Sequence, residues 1–365
     1  MTQHVRALLL TEVGQQQEVI DDLDVDLPQD HEVLVRTCAC GVCHSDLHFR
    51  NGKWTTFPLP MVLGHECAGI VEKVGSQVSY VQPGDHVVGC LTAFCGECDY
   101  CLTGRMYLCA GRGLSRSRGR SRLRVRGKEI SQFVNLSGFA EMMLVHERAL
   151  VKIDRDIPLD VAAVVGCAVT TGIGAAINTA QIRPGQVVAV FGCGGIGLNA
   201  IQGARLAGAG RIIAIDRSEA KATAALRYGA TDAVVADADI VGRIVEMTGG
   251  GVEHAIEAVG LRITAENAFN VLRPGGMATI VGLLPEGEQI SVPATALTFD
   301  RRLQGSNMGS NRFRIDIPNY LRLYQDGRLL LDELISARIG LDEVDDALVA
   351  LDGGDGITRS VAVFG

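Results

Sequence analysis

Residues 38 to 48 read CACGVCHSDLH, three cysteines and two histidines within eleven positions. Thiolates and imidazoles ligate zinc and also run thiol redox chemistry, so this stretch is where chemistry is expected. Cys40 and Cys43 stand as C-x-x-C, which is open to three readings: a redox dithiol, half of a zinc knuckle, or one metal ligand with two bystanders. A second run, CGECDYCLTGRMYLC, sets Cys95, Cys98, Cys101 and Cys109 at C-x2-C-x2-C-x7-C. Four thiolates so close together are an oxidation hazard unless a metal holds them. Tetrahedral zinc with every position filled braces a loop without doing chemistry. An iron–sulfur cluster is the competing occupant, and zinc is favoured because the chain shows no other electron-transfer feature.

A third motif concerns a nucleotide. Gly192, Gly194 and Gly197 in FGCGGIG follow the apolar run VVAVF, and Asp216 closes the next apolar run, RIIAID, 19 residues after Gly197. G-x-G-x-x-G by itself is weak evidence. Here it lies between a predicted strand and a predicted helix, as a dinucleotide site requires: one glycine for the tight turn, one where backbone nears the pyrophosphate, one where helix meets strand. A helix opening at Gly194, Gly195 and Ile196 offers amide donors and its positive end to the pyrophosphate. Asp216 suits the ribose hydroxyls and repels a 2′-phosphate, which favours NAD over NADP; Arg217 beside it pulls the other way.

The elements that must hold these groups differ along the chain. From residue 5 to about 155, short runs such as EVLVRT and AGIVEKVG alternate with turns such as QPGDHV, a β-rich pattern. After residue 170 strand and helix signals alternate, from VVAVF through DIVGRIVEMT, which implies a parallel sheet wrapped by helices and an α/β fold class. A helix is predicted over 316–326 and a strand at SVAVF. With 365 residues, 47% hydrophobic and 21% charged, the chain is long enough for two domains. Its net charge of -8 argues against general nucleic-acid or anionic-membrane binding. Segments 161–182 and 187–204 carry no formal charge and are long enough to span a bilayer, but their glycines read as buried strand-turn-helix. No secretory signal pattern is visible at the N-terminus, so the cytoplasm is expected. The exception to the acidic balance is residues 112–128, with seven arginines and one lysine. Alternation about Gly127 predicts a hairpin with Arg122, Arg124 and Arg126 on one solvated face.

GVCHSDLH, GHECAGIVEKVG, the four-cysteine loop, GCAVTTG, FGCGGIG and ITRSVAV occur in this order. In this the chain resembles the zinc-dependent alcohol dehydrogenases of the medium-chain dehydrogenase/reductase family. The resemblance implies a β-rich GroES-like catalytic domain over 1–168, a Rossmann-type doubly wound parallel-sheet domain over 169–305, and a return to the first domain over 306–365. It implies two zinc ions per chain, a structural one on the four cysteines and a catalytic one on Cys43, His65 and Cys167 with a fourth position open. Cys38 and Cys40 then become small core residues, not a redox pair. Glu66 stands near the metal, and Asp46 orients the imidazole. Ser45 and His48 pass the alcohol proton outward. His44 and Arg359 face the cofactor pyrophosphate, Thr171 the nicotinamide and Lys221 the adenosine ribose. Trp54, Leu91, Leu283 and Met308 fall at the apolar pocket walls, Leu91 where many relatives carry an aromatic.

The activity implied is hydride transfer between NAD and a primary or secondary alcohol or the matching aldehyde or ketone. A formaldehyde-thiol-adduct dehydrogenase is the nearest alternative, because the basic segment resembles a loop kept by those enzymes; Arg112 or Arg116 would then meet an anionic group on the substrate. That loop also implies a homodimer. The rival from another class is a non-enzymatic protein using the basic segment for RNA, a reading opposed by the intact set of metal and relay residues. No nucleic acid and no membrane are expected as partners.

Overall fold

A computed structural model describes residues 3–111, 114–116, 120–352 and 359–365, so Arg112 lies outside the described residues. The chain divides into two units, Met1–Cys167 with Arg312–Gly365, and Ala168–Asn311. Sequence placed the return at 306. Residues 306–311 instead pack within the second unit because Gly309 lies against helix Thr170–Gly174: a Cβ added at Gly174 would stand 2.3 Å from Gly309 O. Asn178 Nδ2 donates to the same carbonyl at 3.2 Å.

The first unit is built on two sheets. One runs Leu150–Ile153, His86–Gly89, Glu66–Val74, Glu32–Gly41, Ser360–Val363 and Ala337–Ile339, with Met142–His146 also on Glu32–Gly41. Val33, Leu34 and Val35 are all fully buried, so the central strand is covered on both faces and reads as a continuous apolar run. It ends at Gly41, directly before the chemistry-bearing segment. The second sheet carries Gln3–Leu10 and Glu18–Val25 and extends into the basic segment.

The expected hairpin is present: Leu123–Val125 pairs antiparallel with Lys128–Glu129 across Arg126 and Gly127, both at positive φ. Its arginines do not form one solvated face. Leu123–Val125 also pairs with Glu18–Val25, which sets Arg124 beside Asp24 and near Asp26. Arg126 pairs with Asp22 at 3.0 Å. Arg122 turns inward to Glu32 at 2.7 Å, and Arg116 takes the other oxygen of Glu32 at 2.7 Å. A desolvated carboxylate needs counter-charge, and the acids of the neighbouring strand supply the reason these arginines fold back.

The second unit is a sheet of parallel strands in the order Asp232–Val235, Arg211–Asp216, Val187–Phe191, Val252–Glu257, Leu272–Ile280, Arg302–Gly305. Numbered from Val187, that is 3-2-1-4-5-6, the doubly wound order, with the direction of winding reversing beside Val187–Phe191. A crevice for a nucleotide opens where the order reverses. Phe313–Gln325 forms the helix expected at 316–326, starting three residues earlier. The helical run Leu159–Thr179 is long and apolar enough to cross a membrane, but it is largely buried in the protein, which accounts for its composition.

Candidate active site and cofactor turn

Cys43 precedes the helix His44–Arg50, at the end of the strand Glu32–Gly41. Asp46, fully buried one turn into that helix, ties three backbone segments together. One carboxylate oxygen accepts from Cys43 N at 3.3 Å, and the other accepts from Gly64 N at 3.0 Å and from His65 Nδ1 at 3.1 Å. With Nδ1 held by Asp46, Nε2 is the ring nitrogen left for another partner. It is buried and has no hydrogen-bond partner among the described residues. Phe133 packs edge-on against the ring and limits its rotation.

Cys167 comes from a π-helical turn, Val165–Val169, which breaks the helix register and is a common device at functional sites. The ligand atoms of Cys43, His65, Glu66 and Cys167 lie within 4.8 Å of one another, all buried. The hydrogen bond with Cys167 pulls the Cys43 thiol well below its ordinary value, aided by Arg359 and His65, and the same bond holds Cys167 up. Burial pushes Glu66 up to about 8 against the pull of Arg359. Arg359 Nη1 stands 3.0 Å from Glu66 Oε1 and donates to Val42 O at 3.1 Å. The structure thus places Arg359 at this cluster, against the Glu66 carboxyl. Gly41 leaves the room: a Cβ there would lie 2.2 Å from Glu66 Oε2.

These residues fit a cation. Two thiols, one held toward thiolate, and an imidazole with one nitrogen unpartnered among the described residues and the other held by a carboxylate are a zinc donor set with its supporting shell. Cys40 is fully buried and its thiol is pushed well above its ordinary value by burial, so it is no reactive partner for Cys43. Cys38 is half-buried beside Arg36. Ser45 and His48 lie three residues apart on the same helix, one turn of a common face; His44 is exposed at its first position. Trp54 and Leu91 are partly buried against the core of this unit.

The four-cysteine loop also fits a single ion. Sγ–Sγ distances are 3.6 Å for Cys98–Cys101, 3.8 Å for Cys98–Cys109 and 3.9 Å for Cys95–Cys101. Four sulfurs at ~2.3 Å from one tetrahedral centre stand ~3.8 Å apart. A polynuclear cluster would interpose its own atoms and spread them. Backbone amides of Cys95, Cys98 and Gly111 point at the sulfurs at 3.2–3.4 Å, as they do toward thiolates.

In the second unit Gly192 ends its strand at φ 93°, and Gly194 caps the helix Gly195–Leu206 with open space where its Cβ would stand. Gly197 is forced: a Cβ there would lie 1.7 Å from Gly192 O. Asp216 is held by Cys193 N at 2.8 Å and Ser218 N at 2.9 Å, so its carboxylate is fixed at the mouth of the glycine turn. Arg217 is exposed, and Lys221 lies half-buried in the next helix. Thr171 Oγ1 donates to Met308 Sδ at 3.3 Å, and Leu283 O approaches Gly260.

Residues 29–155 match the family described as alcohol dehydrogenase GroES-like domain, and 195–326 the family described as zinc-binding dehydrogenase. The chain is 38% identical to S-(hydroxymethyl)glutathione dehydrogenase of Saccharomyces cerevisiae, over 92% of this chain and 90% of that one. It is 35% identical to alcohol dehydrogenase 2 of Oryza sativa subsp. japonica, over 90% and 89%. Benzyl alcohol dehydrogenase of Acinetobacter calcoaceticus superposes with a TM-score of 0.93 at 32% identity, covering 100% of both chains.

The chain belongs to the zinc-dependent alcohol dehydrogenases of the medium-chain dehydrogenase/reductase family. As such a dehydrogenase it is an oxidoreductase of alcohols and aldehydes, with zinc and NAD as cofactors.

Sequence reading of this dehydrogenase missed two features of the site. The partnership of Arg359 with Glu66 joins residues 293 apart, which no local pattern encodes. The role of Gly41 as clearance for that carboxylate shows only in three dimensions.

Proposed function

We propose that Cys43, His65 and Cys167 hold the catalytic zinc, that Cys95, Cys98, Cys101 and Cys109 hold the structural one, and that the preferred substrate is an uncharged, medium-sized alcohol. The observation that carries the reading is the buried, unpartnered Nε2 of His65 grouped with the thiols of Cys43 and Cys167. A zinc ion held by these three residues would supply Lewis-acid polarisation of an alcohol or carbonyl oxygen, and NAD held at the glycine turn would supply the hydride acceptor or donor. Asp46 keeps His65 in the ligating tautomer. Arg359 stands against Glu66 beside the ligands. Ser45 and His48 conduct the hydroxyl proton outward. Gly192, Gly194 and Gly197 cradle the pyrophosphate, and Asp216 takes the ribose hydroxyls. An alcohol panel followed by NADH absorbance, together with zinc analysis, tests the assignment. Turnover without zinc, or turnover confined to thiol adducts, would overturn it.

The uncharged substrate is favoured over a thiol adduct because Arg116, one of the two cations that could receive an anionic group, is spent on Asp26 and Glu32. A carboxylate at the far end of the alcohol is therefore expected to give no gain in kcat/KM over the neutral alcohol of equal length. A gain of about tenfold or more, abolished by Arg112→Ala or by Arg116→Ala, would restore the adduct reading.

Asp216→Ser is expected to raise the Kd for NAD about tenfold, the loss of one charge-assisted hydrogen bond, and to narrow the preference over NADP. Asp216→Asn, which keeps the turn's backbone acceptor, should lie between. Equal use of both cofactors by the unaltered enzyme would show that Arg217 outweighs the carboxylate.

We place the protein in the cytoplasm as a homodimer. Leu297, Phe299 and Leu303 are exposed about the edge strand Arg302–Gly305, an apolar surface with a strand edge unpaired among the described residues and suited to a second copy. Mass by light scattering checks the dimer.

A further inference from the structure

The amino-terminal ends of the parallel strands in the Ala168–Asn311 unit border a cavity of about 360 Å³. Arg183 and Gln186 line it from the turn before Val187–Phe191, Glu253 and His254 from the start of the next strand in space, Arg273 from Leu272–Ile280, and Arg302 from the first position of the edge strand. Gly192 and the nucleotide turn sit at the opposite, carboxyl end of Val187–Phe191. A strand of that length spans roughly 16 Å, so the cavity is no lobe of the cofactor crevice.

Its electrostatics run against the rest of the protein. In a chain of net charge -8, three guanidiniums and one carboxylate border this space. Glu253 pairs with Arg273 at 2.8 Å. Arg183 and Arg302 have no acidic partner within ion-pair distance among the described residues. Arg302 Nη2 donates to Gly275 O at 3.4 Å, which tethers it to the neighbouring turn. The Gln186 side chain fixes the opposite wall. Its oxygen accepts from Arg183 N at 2.7 Å, so the same oxygen, 3.0 Å from His254 Nε2, accepts there too, and the amide and the ring are both set. His254 reports how near the cations are: burial holds it below its ordinary value, Glu253 pulls it up, and Arg302, Arg183 and Arg273 push it down again.

Concave sites lined by one sign of charge focus potential and gather the opposite ion. Guanidinium forks match the oxygens of phosphate in geometry as well as charge. Two uncompensated cations suit a dianion, and the volume admits a phosphate with a short carbon stub. We propose that this cavity is a second ligand site, apart from the hydride chemistry, which binds the phosphate group of a small metabolite through Arg183 and Arg302 with Arg273 alongside.

The test uses the zinc-loaded enzyme saturated with NAD, so that the pyrophosphate position is filled. Inorganic phosphate and glycerol 3-phosphate are titrated separately by calorimetry at constant ionic strength. Binding of one equivalent per chain is expected, about tenfold or more weaker in Arg183→Ala/Arg302→Ala, with NAD affinity and kcat unchanged. Tighter binding of free phosphate identifies an inorganic-anion site, and tighter binding of the ester a metabolite site; either supports the proposal. Arg183→Gln/Arg302→Gln serves if the alanine variant fails to fold, which its NAD affinity reveals. Failure of both anions to bind below ~10 mM, or equal affinity in the double variant, overturns it.

Discussion

Cys43→Ser is expected to purify with one zinc per chain in place of two and to lose about 10³-fold or more in kcat/KM. The size follows from removing several kcal/mol of charge stabilisation at the reacting oxygen. A serine hydroxyl stays protonated at neutral pH, whereas the Cys43 thiol is pulled down by Cys167, Arg359 and His65 and is ready to ligate. Asp46 still holds His65 and Gly64 in the variant, so the backbone of the site is expected to stand. Trp54, the single tryptophan, packs against the core of the same unit, and its unchanged emission would confirm this. Cys40→Ala is the control. Its thiol is buried beside Gly64 and is not among the ligand atoms grouped with Cys43, so zinc content and turnover should stay nearly intact. Two zincs retained in Cys43→Ser, or turnover within tenfold of the parent, would remove Cys43 from the metal, while loss of metal in Cys40→Ala would revive the dithiol.

Glu32→Ala should destabilise the first unit by about 3 kcal/mol, because it strips the counter-charge from two buried guanidiniums at once. Glu32 accepts from Arg122 Nε at 2.7 Å, from Arg116 Nε at 2.9 Å and Nη2 at 2.7 Å, and from Gln29 N at 3.0 Å, and both arginine side chains are under a tenth exposed. Arg116 retains Asp26; among the described residues Arg122 retains Leu114 O and Gln132. Urea unfolding read by Trp54 emission measures the loss. Arg126→Ala, at a pair three-quarters exposed on the arginine side, is expected to cost under ~1 kcal/mol. Equal small effects in both would mean that the buried network adds nothing. The pH dependence has a definite sign. Burial alone would raise Glu32, but Arg116 and Arg122 outweigh it and hold it below the ordinary carboxylate value. A carboxyl lowered on folding stabilises above its unfolded value, so this contribution is fully present at neutral pH and fades as pH falls through the folded value. Glu32→Ala should therefore show a flatter loss of stability in acid than the parent.

Much of this protein was legible in one dimension. The glycine turn and Asp216 could be read because a tight turn, a close helix–strand approach and a strand end each demand a residue type at a set spacing. The four cysteines could be read because one ion's tetrahedron needs donors close in the chain or held by a short loop. Cys43, His65 and Cys167 were legible only through motif resemblance, since 22 and 102 residues separate successive members and no local rule joins them. What only the tertiary structure decided is who neutralises whom. The alternating arginines of 120–126 read on paper as a solvated face, with a contact to an anionic group as the alternative. Pairing of Leu123–Val125 with Glu18–Val25 set Asp22 and Asp26 beside Arg126 and Arg124, and Glu32, from the other sheet, took Arg116 and Arg122 where burial makes an unpaired charge costly. Arg359 met Glu66 for the same reason, and the second unit kept 306–311 because two glycine backbones could touch. Sequence determined which groups could do chemistry; long-range burial determined which charges were left free to do it.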